Sequence, residues 1–155
     1  MDSDLDTLLL EHPFFQGMDP EACSRLSGCT QKNVYDAGEY IIREGEAADR
    51  FFLVRHGRVA IELHSPGKAP MVIATVDGGE MFGWSWVSPP YKWNFSARAV
   101  QLTRLLSLDA KCLVALMEDD KTLGYDFYKR LMPVLSERLS ATRIQLTNIY
   151  GGPGQ

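Results

Sequence analysis

Between residues 30 and 109, glycine recurs at 38, 45, 57, 67, 78, 79 and 83. This punctuation constrains the chain more than any other feature. Most of the gaps run from seven to twelve residues, room for one short strand and its turn, the spacing of an antiparallel sandwich or barrel. Arg58 to Leu63 alternates, which predicts Val59, Ile61 and Leu63 facing the core and Arg58 and Glu62 facing solvent. Phe51 to Arg55 precedes it across His56-Gly57, a link that predicts a two-residue hairpin. Met71 to Val76 is rich in β-branched residues, and Val100 to Leu108 closes the set. Nothing alternates strand with helix as a parallel sheet requires. The expected fold is mainly β with flanking helices: an eight-stranded antiparallel jelly roll in two small sheets.

The flanks read as helices. Asp4 to Leu10 forms one segment, ended by His12-Pro13, because the residue before proline avoids the helical region. Asp19-Pro20-Glu21 has the pattern of a cap, a first-position proline and a first-turn acid, with Gly28 as the stop. Asp109 is placed to cap a helix over Ala110 to Glu118, and a longer one is expected from Lys121 to Tyr150, with Pro133 kinking or breaking it. The longer helix carries Tyr128, Met132, Leu135, Leu139, Thr142, Leu146 and Ile149 at heptad-like spacing. Thirty residues of helix is about 45 Å, longer than a small barrel needs. Met132, Leu135, Leu139, Leu146 and Ile149 are therefore expected to form a homodimer interface, the alternative being packing on the chain's own sandwich. One domain is expected over 1–150: helices in 1–29, the jelly roll in 30–109 and two helices in 110–150. The glycine-rich tail 151–155 is expected to be disordered.

The 155 residues are 45% hydrophobic and 23% charged, as in a globular chain. A net charge of −4 argues against a general nucleic-acid surface, although residues 1–22 hold six acids and no base while 121–143 hold five bases and two acids. DNA is not expected as a partner. No apolar run approaches the roughly twenty residues of a membrane span, and the acidic N-terminus has no signal-peptide pattern. Cys23, Cys29 and Cys112 form no CxxC and are expected as buried thiols in a reducing cytoplasm. His12, His56 and His64 form no metal-binding pattern. No metal, cofactor or catalytic residue is expected, and no nucleophile–base motif points to an enzyme.

Five segments in register carry a resemblance. They are His12-Pro13-Phe14-Phe15-Gln16-Gly17-Met18, Asp36-Ala37-Gly38-Glu39, Arg43-Glu44-Gly45-Glu46, Phe51-Phe52-Leu53-Val54-Arg55-His56-Gly57-Arg58-Val59 and Gly79-Glu80-Met81-Phe82-Gly83. Over about 12–145 the chain resembles the cyclic-nucleotide-binding domains of bacterial catabolite activators and protein kinase A regulatory subunits. The resemblance implies a helical N-terminus, a jelly roll, and two final helices of which the last commonly forms the dimer. The helix-turn-helix of the family's transcription factors has no counterpart here, so action in trans is expected.

The resemblance also implies a phosphate-binding cassette, with a glutamate directly after the Phe-Gly pair for the ribose and an arginine ten residues after the glycine for the phosphate. Here Phe82-Gly83 is followed by Trp84, and Trp93 stands at the arginine position. The spacing from Trp93 to Ala99 matches the family's, and the small residue expected next is Asn94. The loop resembles that of single-domain bacterial proteins of this fold, a likeness that supplies no ligand. Three readings stay open. The aromatics fill the ancestral pocket; they line a pocket for another ligand; or they form an exposed patch for a protein partner. The candidate ligand-binding set is Gly83, Trp84, Ser85, Trp86, Val87, Trp93, Asn94, Ser96, Thr142 and Arg143, with Lys92 a further anchor. Thr142 matches the position at which the family's last helix offers a hydroxyl to the base, and interface packing fits it equally well. Arg98, between Ala97 and Ala99, is expected to face solvent or to pair with an acid. The function expected is a ligand-sensing regulatory domain that does not bind cAMP or cGMP. The alternative is a protein–protein interaction module whose pocket is filled by its own aromatic side chains.

Overall fold

The computed structural model describes residues 3–150, the side chains of 3, 145 and 147–150 excepted. The tail 151–155 and the Ile149 side chain lie outside the described residues. The chain divides into two compact units, Met1–Leu116 and Met117–Gln155.

In the first unit, helix α1 (Ser3–Glu11), a 3-10 helix (Pro13–Phe15) and α2 (Pro20–Ser27) precede eight strands. These are β1 (Thr30–Tyr35), β2 (Tyr40–Ile42), β3 (Arg50–His56), β4 (Arg58–Leu63), β5 (Met71–Asp77), β6 (Met81–Phe82), β7 (Ser96–Ala99) and β8 (Thr103–Asp109). They form two four-stranded sheets, ordered β1-β8-β3-β6 and β2-β7-β4-β5, with every pairing antiparallel. This is the expected jelly roll. Phe51, Phe52, Leu53 and Val54 are all fully buried, so β3 is covered on both faces, as its unbroken apolar run requires. Each such side chain stabilises the fold by about 1.5–3 kcal/mol.

Several expectations change. β3 and β4 do not form a hairpin; they lie in different sheets, and Gly57 alone carries the chain between them. At φ +112°, a side chain on Gly57 would come within 2.6 Å of the Leu102 carbonyl and the Thr103 backbone. On β4, Glu62 is buried while Leu63 is 38% exposed. Glu62 does point away from the core, but Tyr40 and Arg98 roof it. Leu63 lies one residue beyond the pairing with β7, which ends at Glu62–Ser96. The last strand starts at Thr103 rather than Val100. Gly28 does end α2, but in a right-handed helical conformation at φ −65°.

Two of the three cysteines overturn the expectation of reduced thiols. Cys29 and Cys112 form a disulfide across 83 residues of sequence. β1 pairs with β8 from Thr30–Leu108 onward, which brings the residue before β1 beside the first turn of α3 (Ala110–Asp119). Asp109 caps that turn, accepting from the Cys112 N–H at 2.9 Å, as its sequence position predicts. Cys23 is buried in α2 and outside the disulfide.

In the second unit, α4 spans Lys121–Tyr150. Of the kink or break expected at Pro133, the break does not occur: the helix continues through it, with the Pro133 ring in place of one donor to the residue-129 carbonyl. Leu123, Phe127 and Leu131 are buried, while Met132, Leu139 and Leu146 are exposed; Leu135 is half-buried. No described helix is long and apolar enough to cross a membrane.

Candidate functional site

The site grows from the end of β6. Phe82 pairs with Phe52 of β3, and their rings stack at 4.9 Å between centroids, 10° from parallel. Gly83 follows at φ +89°, a conformation that favours glycine. The chain then makes one 3-10 turn over Ser85–Val87. Trp86 is buried and its indole N–H donates to the Gly83 carbonyl at 2.8 Å, tying the turn to its own start. The Trp86 ring meets Phe51 edge-on at 6.1 Å, and Phe51 meets Phe14. Phe51 and Phe52, adjacent on β3, address opposite faces of their sheet.

The far side of the cassette is sewn to residues 45–48 by three backbone bonds. The Trp93 N–H donates to the Glu46 carbonyl at 2.9 Å, the Trp93 carbonyl accepts from Gly45 at 2.8 Å, and the Tyr91 carbonyl accepts from Ala48 at 2.8 Å. Tyr91 adopts φ +56° to make this approach. So held, Trp93 is only 5% exposed. Its ring lies 6.4 Å from Phe52 and 5.8 Å from Phe95, centroid to centroid. A Cβ on Gly83 would stand 3.2 Å from the indole Cη2. The Trp93 indole therefore fills the space directly over Gly83.

The other candidates are placed differently. Trp84 and Ser85 are half-buried, and Val87, Lys92 and Asn94 are exposed. Ser96 is buried, with its hydroxyl oxygen accepting from the Glu44 N–H at 3.0 Å. Gly83, Trp86 and Trp93 are thus brought together, whereas Asn94 and Lys92 stand at the surface. Thr142 and Arg143 belong to α4, in the second unit, and the Thr142 hydroxyl donates to the Arg138 carbonyl of its own helix at 2.9 Å. Among the described residues, no group of three His, Cys, Asp or Glu side chains is gathered to hold a metal ion.

Two buried polar centres went unread in the sequence. His12 is 5% exposed. Its Nδ1 accepts from the Phe14 N–H at 3.1 Å, and Nε2 lies 3.0 Å from the Val54 carbonyl. The second contact makes Nε2 the protonated nitrogen of the neutral ring. Burial pushes the imidazole below its usual range, against the opposite pull of the Val54 and Glu80 carbonyls. Glu62 accepts from Tyr40 at 3.0 Å and from the Arg98 guanidinium at 2.8 Å, with His64 at 3.4 Å. Burial pushes its carboxyl up, and the hydrogen bonds from Arg98, Tyr40 and His64 outweigh that and hold it below the usual range. Arg98 thus pairs with an acid, one of its two expected fates. Only the order His-Pro-Phe-Phe hinted at His12; nothing in an alternating strand marks Glu62 as buried.

Two four-stranded antiparallel sheets, flanked by helices and carrying a short helical cassette between β6 and β7, define the jelly-roll class of domains. The chain belongs to the cyclic nucleotide-binding domain family, whose sequence pattern matches residues 32–120. It is 26% identical over 145 residues to a CRP-like cAMP-activated global transcriptional regulator of Mycobacterium tuberculosis, covering 94% of this chain and 63% of the regulator. It is 29% identical over 147 residues to the cGMP-dependent protein kinase egl-4 of Caenorhabditis elegans, covering 92% of this chain and 19% of the kinase. The chain thus spans less than two-thirds of these relatives. Among solved structures, a cyclic nucleotide-binding domain from Methylobacillus flagellatus superposes with a TM-score of 0.80 at 21% identity, over 92% of this chain and 82% of that one. The catabolite activator protein of Thermus thermophilus gives 0.70 at 26% identity, over 88% and 62%. Because the relatives include transcriptional regulators, the comparisons lend no support to the expectation that DNA is not a partner.

Proposed function

We propose that the chain is a non-catalytic regulatory domain in which the Trp93 indole occupies the ground of the cyclic phosphate, so that neither cAMP nor cGMP is its ligand. One observation carries the reading: Trp93 is buried against Phe52 and over Gly83. The cyclic phosphate is an anion, and burying an anion without a paired cation costs several kcal/mol, of which a lost charge-assisted partner is about 3–5 kcal/mol. Trp84, at the position of the ribose carboxylate, removes a second polar partner.

Of the three readings of the aromatic loop, the buried indoles of Trp86 and Trp93 favour a cassette filled from within over an exposed patch. Contact with other proteins is then carried elsewhere. The exposed Tyr125, Met132, Leu139 and Leu146 side chains support α4, through a homodimer, with output in trans to a further protein. The cytoplasm is the compartment this reading assigns. Tryptophan emission provides the test. Buried indoles emit at short wavelength, and titration with cAMP or cGMP to millimolar concentration should leave the emission unchanged. A saturable shift at micromolar nucleotide would refute the proposal.

A further inference from the structure

We propose that the Cys29–Cys112 disulfide is a reversible switch, opened by a low-molecular-weight thiol that enters the cleft beside it. The bond borders a cleft of about 370 Å³ lined by Cys29, Thr30, Arg50, Ser107, Asp109 and Cys112. Its two ends are unequal: Cys29 is 6% exposed, whereas Cys112 is exposed in the first turn of α3. Such a site admits a small thiol and presents the Cys112 side to it. A disulfide in a compartment kept reducing by small thiols is a transient, responsive bond rather than a permanent staple. This inference rests on the cytoplasmic compartment of the proposed function and not on where the Trp93 ring lies.

The exchange balances in two steps. A small-molecule thiolate attacks the Cys112 sulfur, the protein S–S bond breaks, and its electron pair leaves on the Cys29 sulfur, which takes a proton from solvent. Cys112 then carries the small thiol as a mixed disulfide. A second thiolate attacks the small-molecule sulfur of that adduct and Cys112 departs as thiolate. In sum, two small thiols are oxidised to their disulfide and the protein pair is reduced. At Cys112 the α3 N-terminus favours the departing thiolate, while the Asp109 carboxylate that accepts from the Cys112 N–H opposes it. Buried Cys23 stays outside the exchange.

Opening the bond frees the first turn of α3 from the residue that precedes β1. Neither the Asp109 N–H bond to the Cys29 carbonyl, 2.8 Å with the disulfide closed, nor the β1–β8 ladder passes through the disulfide. The sandwich therefore remains folded in both states and only the tether is lost. Removing a tether across 83 residues lowers the thermal midpoint by about 10 °C.

The test uses the whole chain, air-oxidised, in buffers of reduced and oxidised glutathione. Samples are alkylated in denaturant and weighed. The expected result is one alkylated cysteine, Cys23, in oxidising buffer and three in reducing buffer. An intermediate should carry a single glutathione on Cys112, located by peptide mass. The midpoint should fall by about 10 °C between the two buffers, while a Cys29→Ser/Cys112→Ser variant melts identically in both. If that variant does not fold, the wild-type titration still decides. Three reactive thiols in oxidising buffer, a bond that resists about 10 mM glutathione in the native protein, glutathione found only on Cys29, or equal midpoints in the two buffers would each overturn the proposal.

Discussion

Glu62 and His12 are the side chains on which the local electrostatics turn. Glu62 is 1% exposed and holds Tyr40 and Arg98 in place. Glu62→Ala strands a guanidinium and a phenol, and should cost about 2 kcal/mol in denaturant unfolding. An unchanged midpoint would mean that the network contributes nothing. His12 makes stability depend on pH with a definite sign. Its folded pKa lies below the ordinary 6.5, so above that value the ring is neutral in both states. As pH falls through 6.5, the unfolded chain takes the proton first and stability is lost, until pH passes the lower folded value. Urea midpoints should therefore fall between about pH 7.5 and 5.5, and His12→Gln should flatten that slope. A midpoint that rises on acidification contradicts the assignment. Glu62 was not legible in sequence, because burial on an outward-facing strand position depends on what a neighbouring strand lays over it; His12, the cap of the 3-10 helix, was marked only by the order His-Pro-Phe-Phe.

Among the elements, the strand count, the strands over Phe51–Arg55, Arg58–Leu63, Met71–Val76 and the last one, and both C-terminal helices were readable from glycine spacing, alternation and caps; the short β2 and β6 carry no pattern of their own. Which strand pairs with which was not readable. His56-Gly57 has the composition of a hairpin turn, yet Gly57 carries the chain from one sheet to the other. Gly57→Ala should cost about 3 kcal/mol, since it combines positive φ with backbone contact below 3 Å. A loss under 1 kcal/mol would mean that the crossing relaxes freely. The Cys29–Cys112 pairing was equally hidden, because the β1–β8 register, not the cysteine spacing, creates it. For α4, the heptad spacing was legible and its apolar members Met132, Leu139 and Leu146 are exposed. Replacing Met132 and Leu139 by Glu should turn a sedimenting dimer into a folded monomer, while a monomeric wild-type chain at micromolar concentration contradicts that role.

For the whole molecule, the fold of the cyclic nucleotide-binding family is kept, and we propose that its anion site is not. The two substitutions, Trp84 and Trp93, were legible as departures from the family's cassette. What the sequence left open was where the Trp93 ring goes. It goes inward, because three backbone bonds to residues 45–48 fix the loop and Gly83 leaves room for an indole. Losing about 3–5 kcal/mol of anion binding moves a micromolar site to roughly 0.1–4 mM, at tenfold per 1.4 kcal/mol, and the ribose partner lost at Trp84 weakens it further. Calorimetric titration of the intact protein with cAMP and with cGMP, up to millimolar nucleotide, tests this most directly. The account predicts no saturable heat over that range; a dissociation constant below about 10 µM for either nucleotide would contradict it.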